Sequence, residues 1–415
     1  MFDLNELKKE FEGCPCGVKH ELNIKEIAAG SGITAETGEI LKRNGFGKKL
    51  LLVADENTLA AACGVTSALK DFIVTEKIYK NLREATVCEA EAIEKLSYGQ
   101  DGVISVGTGS LNDVCRKAAA KTDKPLCIFA TAASMDGFAS YNAPLVDGNF
   151  KITYAAKSPE VVIGDSKILA AAPEVLKGAG FGDMAGKYVG LIDWQVSSLI
   201  TGEYYCEKVA GLTRKAADRI MSLSDRILKK DEESAEAVFE ALLLTGIGMS
   251  FTKTSRPASG TEHILSHFWE CKKLLGGEIS DFHGRKVGVA TLYILGLYQE
   301  LAKKQSVTAH KEVTDWEKVY AAYGPLSEEV IKLNTPDTIT DGIEPRSIEG
   351  NWERIREIVS SVPSEESIRA ALKVAGAATT IEEIGVSREL CEEGLEYHPY
   401  MRRRLSLRRL ANMID

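Results

Sequence analysis

The sequence is short of histidine, of proline and of positive charge, and each shortage narrows what the chain can be. Six histidines in 415 residues exclude a histidine-rich metal store. Eleven prolines, none clustered, exclude a proline-rich linker or stalk. Lys and Arg number 51 against 60 Asp and Glu, a net charge of −9, which argues against nucleic acid or an anionic membrane surface as the main partner. No apolar run approaches the roughly 18 residues that span a bilayer, so no membrane insertion is expected. The opening MFDLNELKKEFEG is charged and helix-like, without a signal-peptide core. Nine scattered cysteines, an odd number, read as free thiols in a reducing compartment, and a cytoplasmic location is expected.

What is present falls into two halves. KLLLVAD (49–55), DFIVT (71–75), DGVISVG (101–107), PLCIFAT (125–131) and EVVIGD (160–165) read as buried strands. Helical spacing over 57–69, 86–98 and 110–121 separates them, which predicts a parallel sheet with helices on both faces. Residues 139–155, with Asp147-Gly148 between alternating segments, predict a hairpin insert. Beyond about residue 166 strand signals stop, and nine segments suit helices, with Gly and Pro at 173, 178–182, 257–260 and 325 as punctuation. The expected fold is α/β plus all-α. A Rossmann-like nucleotide-binding domain over 1–170 precedes an α-helical metal and substrate domain over 171–415. A cleft between them is the natural place for a site. The basic tail from Arg402 to Arg409, interleaved with Leu405, Leu407 and Leu410, predicts a C-terminal helix with one docked face.

Gly107-Thr108-Gly109-Ser110 follows an apolar strand and opens a helix, where a phosphate can meet glycine backbone and helix N–H groups. A bare turn reads equally well. Asp113 either orients that loop or is solvated. Thr131, Ser134 and Asp136 follow the next strand and suit a cofactor or a polyol, or an ordinary Ser/Asp turn. Asp55 closes the first predicted strand, where a carboxylate binds ribose hydroxyls and repels a 2′-phosphate, favouring NAD over NADP. Three of the six histidines, His263, His267 and His283, lie within 21 residues, and Asp183 precedes a predicted helix. Asp183 reads as either a helix cap or a ligand. Two imidazoles and one carboxylate are a common set for a catalytic divalent metal. Cys14-Pro15-Cys16-Gly17-Val18-Lys19-His20 offers C-x-C-x₃-H, but no fourth ligand lies near it in sequence.

TAASMDGFAS (131–140), GFGDMAGKY (180–188) with Asp193-Trp194, and SRPASGTEHILSH (255–267) resemble the bacterial branch of the glycerol-1-phosphate dehydrogenase family. That family lies within the superfamily of dehydroquinate synthases, glycerol dehydrogenases and iron-type alcohol dehydrogenases. The likeness runs from about residue 14 to the end. It implies NAD, with NADP as the alternative, and one divalent metal, zinc or nickel, on Asp183, His263 and His283. It implies cofactor contacts from Gly107, Gly109, Ser110, Asp113, Thr131 and Ser134, and catalytic roles for Asp136, Lys187 and His267. Arg256 and His267 stand at offsets that hold a substrate phosphate in related synthases. Thr108 departs from the pattern, where glycine is usual. The implied reaction is reduction of dihydroxyacetone phosphate to sn-glycerol 1-phosphate by a homodimer or higher homo-oligomer. A polyol dehydrogenase without a phosphate requirement and a catalytically silent scaffold are the rivals.

Overall fold

A computed structural model describes residues 1–415. Eight strands form: β1 (Glu26–Gly30), β2 (Lys49–Asp55), β3 (Ile73–Tyr79), β4 (Gly102–Gly107), β5 (Leu126–Ala130), β6 (Asn142–Asp147), β7 (Phe150–Ala155) and β8 (Val161–Asp165). Six of them make one all-parallel sheet in the order β1-β8-β5-β4-β2-β3. Strands β6 and β7 pair separately as the expected antiparallel hairpin, turning at Gly148. The chain leaves β2 for the outer edge at β3 and leaves β4 toward β5 on the other side. The gap between the carboxyl ends of β2 and β4 is therefore the topological switch point, where open α/β sheets bind ligands. Asp55 and the Gly107–Ser110 loop stand there.

The sheet is followed by helices alone, as the α/β plus all-α reading expects. Its central strands β2, β4, β5 and β8 are almost wholly buried, which explains their continuous apolar runs. Two edge strands read less well. The first, β1, is short and half-exposed, and carries no apolar run to announce it. The other, β3, begins two residues later than expected and runs on through Thr75-Glu76-Lys77, because one face of an edge strand stays wet. The main apolar core is continuous from Leu7 to Met413 and joins one sheet face to the helices of the second half. The first 20 residues pack on that second half, where Phe11 and His20 lie against Phe251.

Three expectations need correction. Residues 178–182 do not end a helix, and Asp183 is not a cap. Both lie inside a 28-residue helix, Glu174–Thr201, buried on nearly every side. The glycines serve close approach instead. A Cβ on Gly180 would strike the carbonyl of Ala133, and one on Gly284 would strike that of Ala179. Second, the basic tail is not a long helix. Only Leu407–Leu410 forms an α-turn, flanked by 3₁₀ turns, while Leu405, Leu407 and Leu410 are fully buried. Third, one helix, Glu232–Thr252, is long and apolar enough by composition to cross a membrane, but 83% of its apolar window lies inside the fold.

The glycine contacts give a paired test by chemical denaturation. Gly180→Ala is expected to lose about 3 kcal/mol through forced overpacking. Gly350→Ala, on the exposed face of the Pro345–Ser360 helix with no neighbour within 4 Å, is expected to gain about 1 kcal/mol from helix propensity. Equal effects at the two positions would refute the packing account.

Candidate active site

Close approach of the Glu174–Thr201 helix brings Asp183, fully buried, against the turn after β5 and against the start of the His283–Leu301 helix. The Asp136 backbone N–H donates to Asp183 Oδ2 at 2.9 Å. Lys187, one turn beyond Asp183, places its three ammonium hydrogens on Asp183 Oδ1 at 2.6 Å, Asp136 Oδ2 at 2.6 Å and the Ala258 carbonyl at 3.1 Å. His263, in the first turn of the Thr261–Leu275 helix, sets Nε2 3.5 Å from Asp183 Oδ1. Its other nitrogen, Nδ1, meets Glu262 Oε1 at 2.5 Å, which also accepts the Gly260 N–H at 3.0 Å. The His283 ring centre lies 5.1 Å from that of His263.

One ligand atom each from Asp183, His263 and His283 falls within 4.8 Å of the others. Three observations test whether this set fits a metal. The donors are one carboxylate oxygen and two imidazole nitrogens, a set suited to a first-row divalent cation. The Glu262 carboxylate on Nδ1 turns Nε2 toward Asp183, the outer support that metal-bound histidines require. The local field also favours a cation at this point: burial alone would depress His263, but the Glu262 and Asp183 carboxylates raise it to about 9. The set fits.

Charges around the triad are unequal. Burial would raise the Asp183 carboxyl, yet Lys187 and the two histidines hold it well below the usual range. Asp136 moves the other way, raised by burial and by the Asp183 charge. Burial opposes the charge on Lys187, but Asp136 and Asp183 together hold its pKa above the usual lysine value. Burial pushes His283 well below its usual range. His267 is pushed down to about 3 by burial although its Nδ1 meets Glu270 Oε2 at 3.1 Å. Glu270 in turn is clamped by Lys151 at 3.0 Å and Lys286 at 3.2 Å.

A cleft of about 430 Å³ runs from the switch point to the triad. Of the expected residues, Asp55, Gly109, Ser110, Asp113, Ser134, Asp136, His263, His267 and His283 line it. Gly107 and Thr131 do not; they pack behind the loop, where a Cβ on Gly107 would strike Leu111. Asp183 and Lys187 stand behind the histidines. Asp55 is a helix cap, its Oδ1 accepting the Thr58 N–H at 2.8 Å, while Oδ2 has no partner in the chain. Asp113 bonds Arg116 at 2.5 Å, and burial raises its pKa to about 6. Thr108 has an extended backbone (φ −129°), so its side chain strains nothing there.

Arg256 lies elsewhere than expected. Its guanidinium is buried, bonded to Glu203 at 2.8 and 2.5 Å, to Ser197 at 3.2 Å and to the Leu405 carbonyl at 2.9 Å, and it does not line the cleft. Its fork already holds a carboxylate. The residues that sequence reasoning missed are Lys151, Lys286, Arg402 and Arg404, which do line the cleft. The charge density of the tail was the one available signal for the two arginines, and it was assigned to a docked helix.

A dinucleotide-type sheet facing helices that carry a carboxylate and two imidazoles defines a metal-dependent, nicotinamide-linked dehydrogenase. Residues 28–173 match the family model described as iron-containing alcohol dehydrogenase. The NAD(P)+ glycerol-1-phosphate dehydrogenase of Halalkalibacterium halodurans is 31% identical over 413 residues, covering 97% of this chain and 96% of its own. That of Thermococcus kodakarensis is 36% identical, over 66% of this chain and 78% of its own. Among solved structures, an archaeal halo-thermophilic Red Sea brine pool alcohol dehydrogenase has a TM-score of 0.63 at 15% identity, covering 95% of this chain and 96% of that one. Glycerol dehydrogenase from Schizosaccharomyces pombe has a TM-score of 0.54 at 17% identity, covering 92% and 93%. The chain belongs to the glycerol-1-phosphate dehydrogenase family.

Two outcomes follow from this geometry. Glu262→Gln is expected to weaken metal binding about 10- to 100-fold in a chelator competition, with little change in fold by circular dichroism. The second concerns acid. Unfolded His267 takes up its proton near 6.5 and the folded residue only near 3, so stability falls as pH drops through that window. Denaturant midpoints of metal-free protein should fall from pH 7 to pH 4, and His267→Gln should shrink that fall. An unchanged slope would remove His267 from the acid response.

Proposed function

We infer that the protein interconverts dihydroxyacetone phosphate and sn-glycerol 1-phosphate with NAD(P)(H) at one divalent metal. The observation that carries the phosphate is Arg404. It lines the cleft and donates only to neutral groups, the Ser259 carbonyl and the Ser255 hydroxyl, each at 3.0 Å. No carboxylate partners it. Burial, with Arg256 and Arg402 nearby, pushes its pKa down to about 9, so it stays charged at neutral pH with its charge poorly compensated. A phosphate dianion supplies that compensation, and a guanidinium binds it through two parallel hydrogen bonds. A polyol without phosphate would leave Arg404 without an anion, which disfavours that rival.

The other roles are assigned by position. The cofactor lies along Asp55, Gly109, Ser110, Asp113 and Ser134, with its pyrophosphate at the N-terminus of the Gly109–Thr122 helix. Gly107 and Thr131 shape that loop from behind. The buried carboxylate of Asp55 at the end of β2 favours NAD over NADP. Asp183, His263 and His283 hold zinc or nickel. Bound there, the metal supplies Lewis acidity and the nicotinamide supplies hydride. Lys187, with all three hydrogens engaged, fixes Asp183 and Asp136 as a positioning residue. Asp136 keeps Oδ1 free of protein partners at the cleft wall, where burial and the Asp183 charge raise its pKa. His267, neutral and donating from Nδ1 to Glu270, presents Nε2 to accept a substrate hydroxyl; a phosphate needs donors, so that part falls to Arg404. We place the cofactor on residues 1–170 and the metal and phosphate grip on 171–415. The proposed setting is cytoplasmic, as nine free thiols suit a reducing compartment, and the proposed assembly is a homodimer.

The test is steady-state kinetics with dihydroxyacetone phosphate and with unphosphorylated dihydroxyacetone. Arg404→Ala is expected to raise KM for the phosphorylated substrate about 10- to 100-fold, the worth of one charge-assisted hydrogen-bond pair, and to leave the unphosphorylated one unchanged. Arg256→Ala should lower Tm without that selective effect. The reverse pattern would return the phosphate to Arg256.

A further inference from the structure

Outside the cleft, two segments converge on one point. Cys14 and Cys16 lie in the loop after the Leu4–Phe11 helix, and His20 follows four residues on. Cys206 stands at the N-cap of the Glu207–Met221 helix, where its side chain makes no capping bond. Cys14 Sγ is 3.6 Å from Cys206 Sγ, Cys16 Sγ is 3.2 Å from His20 Nε2, and Cys206 Sγ is 3.6 Å from the same nitrogen. All four ligand atoms lie within 4.8 Å of one another. The fourth ligand that the sequence did not offer nearby is supplied by a residue 186 positions after His20.

We propose that Cys14, Cys16, His20 and Cys206 form a structural zinc site that fastens the N-terminal segment to the helical half. Tetrahedral bonds of about 2.3 Å to sulfur and about 2.0 Å to nitrogen put neighbouring ligand atoms about 3.5 to 3.8 Å apart, near the three separations given above. Three cysteines and one histidine also close the shell, with no open position for a substrate. The surroundings match a metal site as well. His20 Nδ1 is 3.1 Å from the Phe251 carbonyl, which fixes the proton there and leaves the Nε2 lone pair for the metal. The Tyr204 hydroxyl is 3.4 Å from Cys16 Sγ, placed to donate to a thiolate. Phe11 and Phe251 flank the His20 ring with centroids 5.4 and 5.3 Å away, limiting water. Binding would release three protons as the thiols become thiolates.

The competing arrangement is a Cys14–Cys206 disulfide, which would leave Cys16 and His20 without a role. Both are resolved on the full chain loaded with zinc alone. In the His263→Ala, His283→Ala double variant, which lacks the triad, one zinc per chain should remain. Its X-ray absorption should show three sulfurs and one nitrogen. Adding Cys16→Ser and Cys206→Ser should remove that zinc. Wild-type protein gives a second measurement that needs no variant. Iodoacetamide should label exposed Cys63 and Cys88 at once, and Cys14, Cys16 and Cys206 only after chelation removes the zinc. Tm should fall on the same treatment. The proposal is overturned if the double variant holds no zinc, if its zinc has only nitrogen and oxygen neighbours, or if intact mass without reductant shows a disulfide.

Discussion

The closest constraint in the molecule is the approach of one helix to two stretches of backbone. The Glu174–Thr201 helix touches the Ala133 carbonyl through Gly180 and the start of the His283–Leu301 helix through Gly182 and Gly284. Side chains at these points would push the elements apart, and the ligand set would open by the same distance. Everything chemical in the protein inherits its geometry from that contact. It lets a carboxylate in mid-helix stand within reach of a backbone N–H from the sheet half and of imidazoles from two other helices.

Such an approach buries charge, and the charges are arranged in chains that leave few groups alone. Lys187 bridges Asp136 and Asp183, so the two carboxylates are held at fixed separation by one cation instead of repelling each other. Glu270 is shared between Lys151, Lys286 and His267. Removing one member of such a set strands another in low dielectric, the costly outcome for buried ions. Arg404 and its neighbour Arg402 break that pattern, each donating to neutral groups alone. Their partners are neutral, and the proposed substrate phosphate would compensate that charge.

Much of this was legible in the sequence. The four central strands were plain because burial on both faces leaves continuous apolar runs such as KLLLVAD and GVISVG. Edge strand β1, EIAAG, was not, because a half-wet short strand resembles a loop. Residue type offered three histidines and Asp183 as candidates, the family resemblance picked out Asp183, His263 and His283, and the helical position of Asp183 was misread. Glycine spacing signals a break in sequence, and only the packing partner reveals a contact surface. Arg256 and Arg404 show a further limit. Both are arginines near one loop in space, and which of them faces the cleft depends on Glu203, a residue no local pattern connects to either. Cys206 was invisible as a companion of Cys14 for the same reason.

Asp193 acquires a meaning beyond its hydrogen bonds. This buried carboxylate accepts the Thr261 N–H at 2.7 Å, at the head of the helix that carries His263, and the Leu407 N–H at 2.9 Å, just beyond Arg404; Tyr298 bonds it as well. It therefore ties the head of the helix that carries His263 to the segment just beyond Arg404. The spacing between the proposed metal site and the proposed phosphate grip is thus held by a residue outside the cleft. A relative could take a longer or shorter substrate by changing that buried tie while keeping every group that touches the ligand.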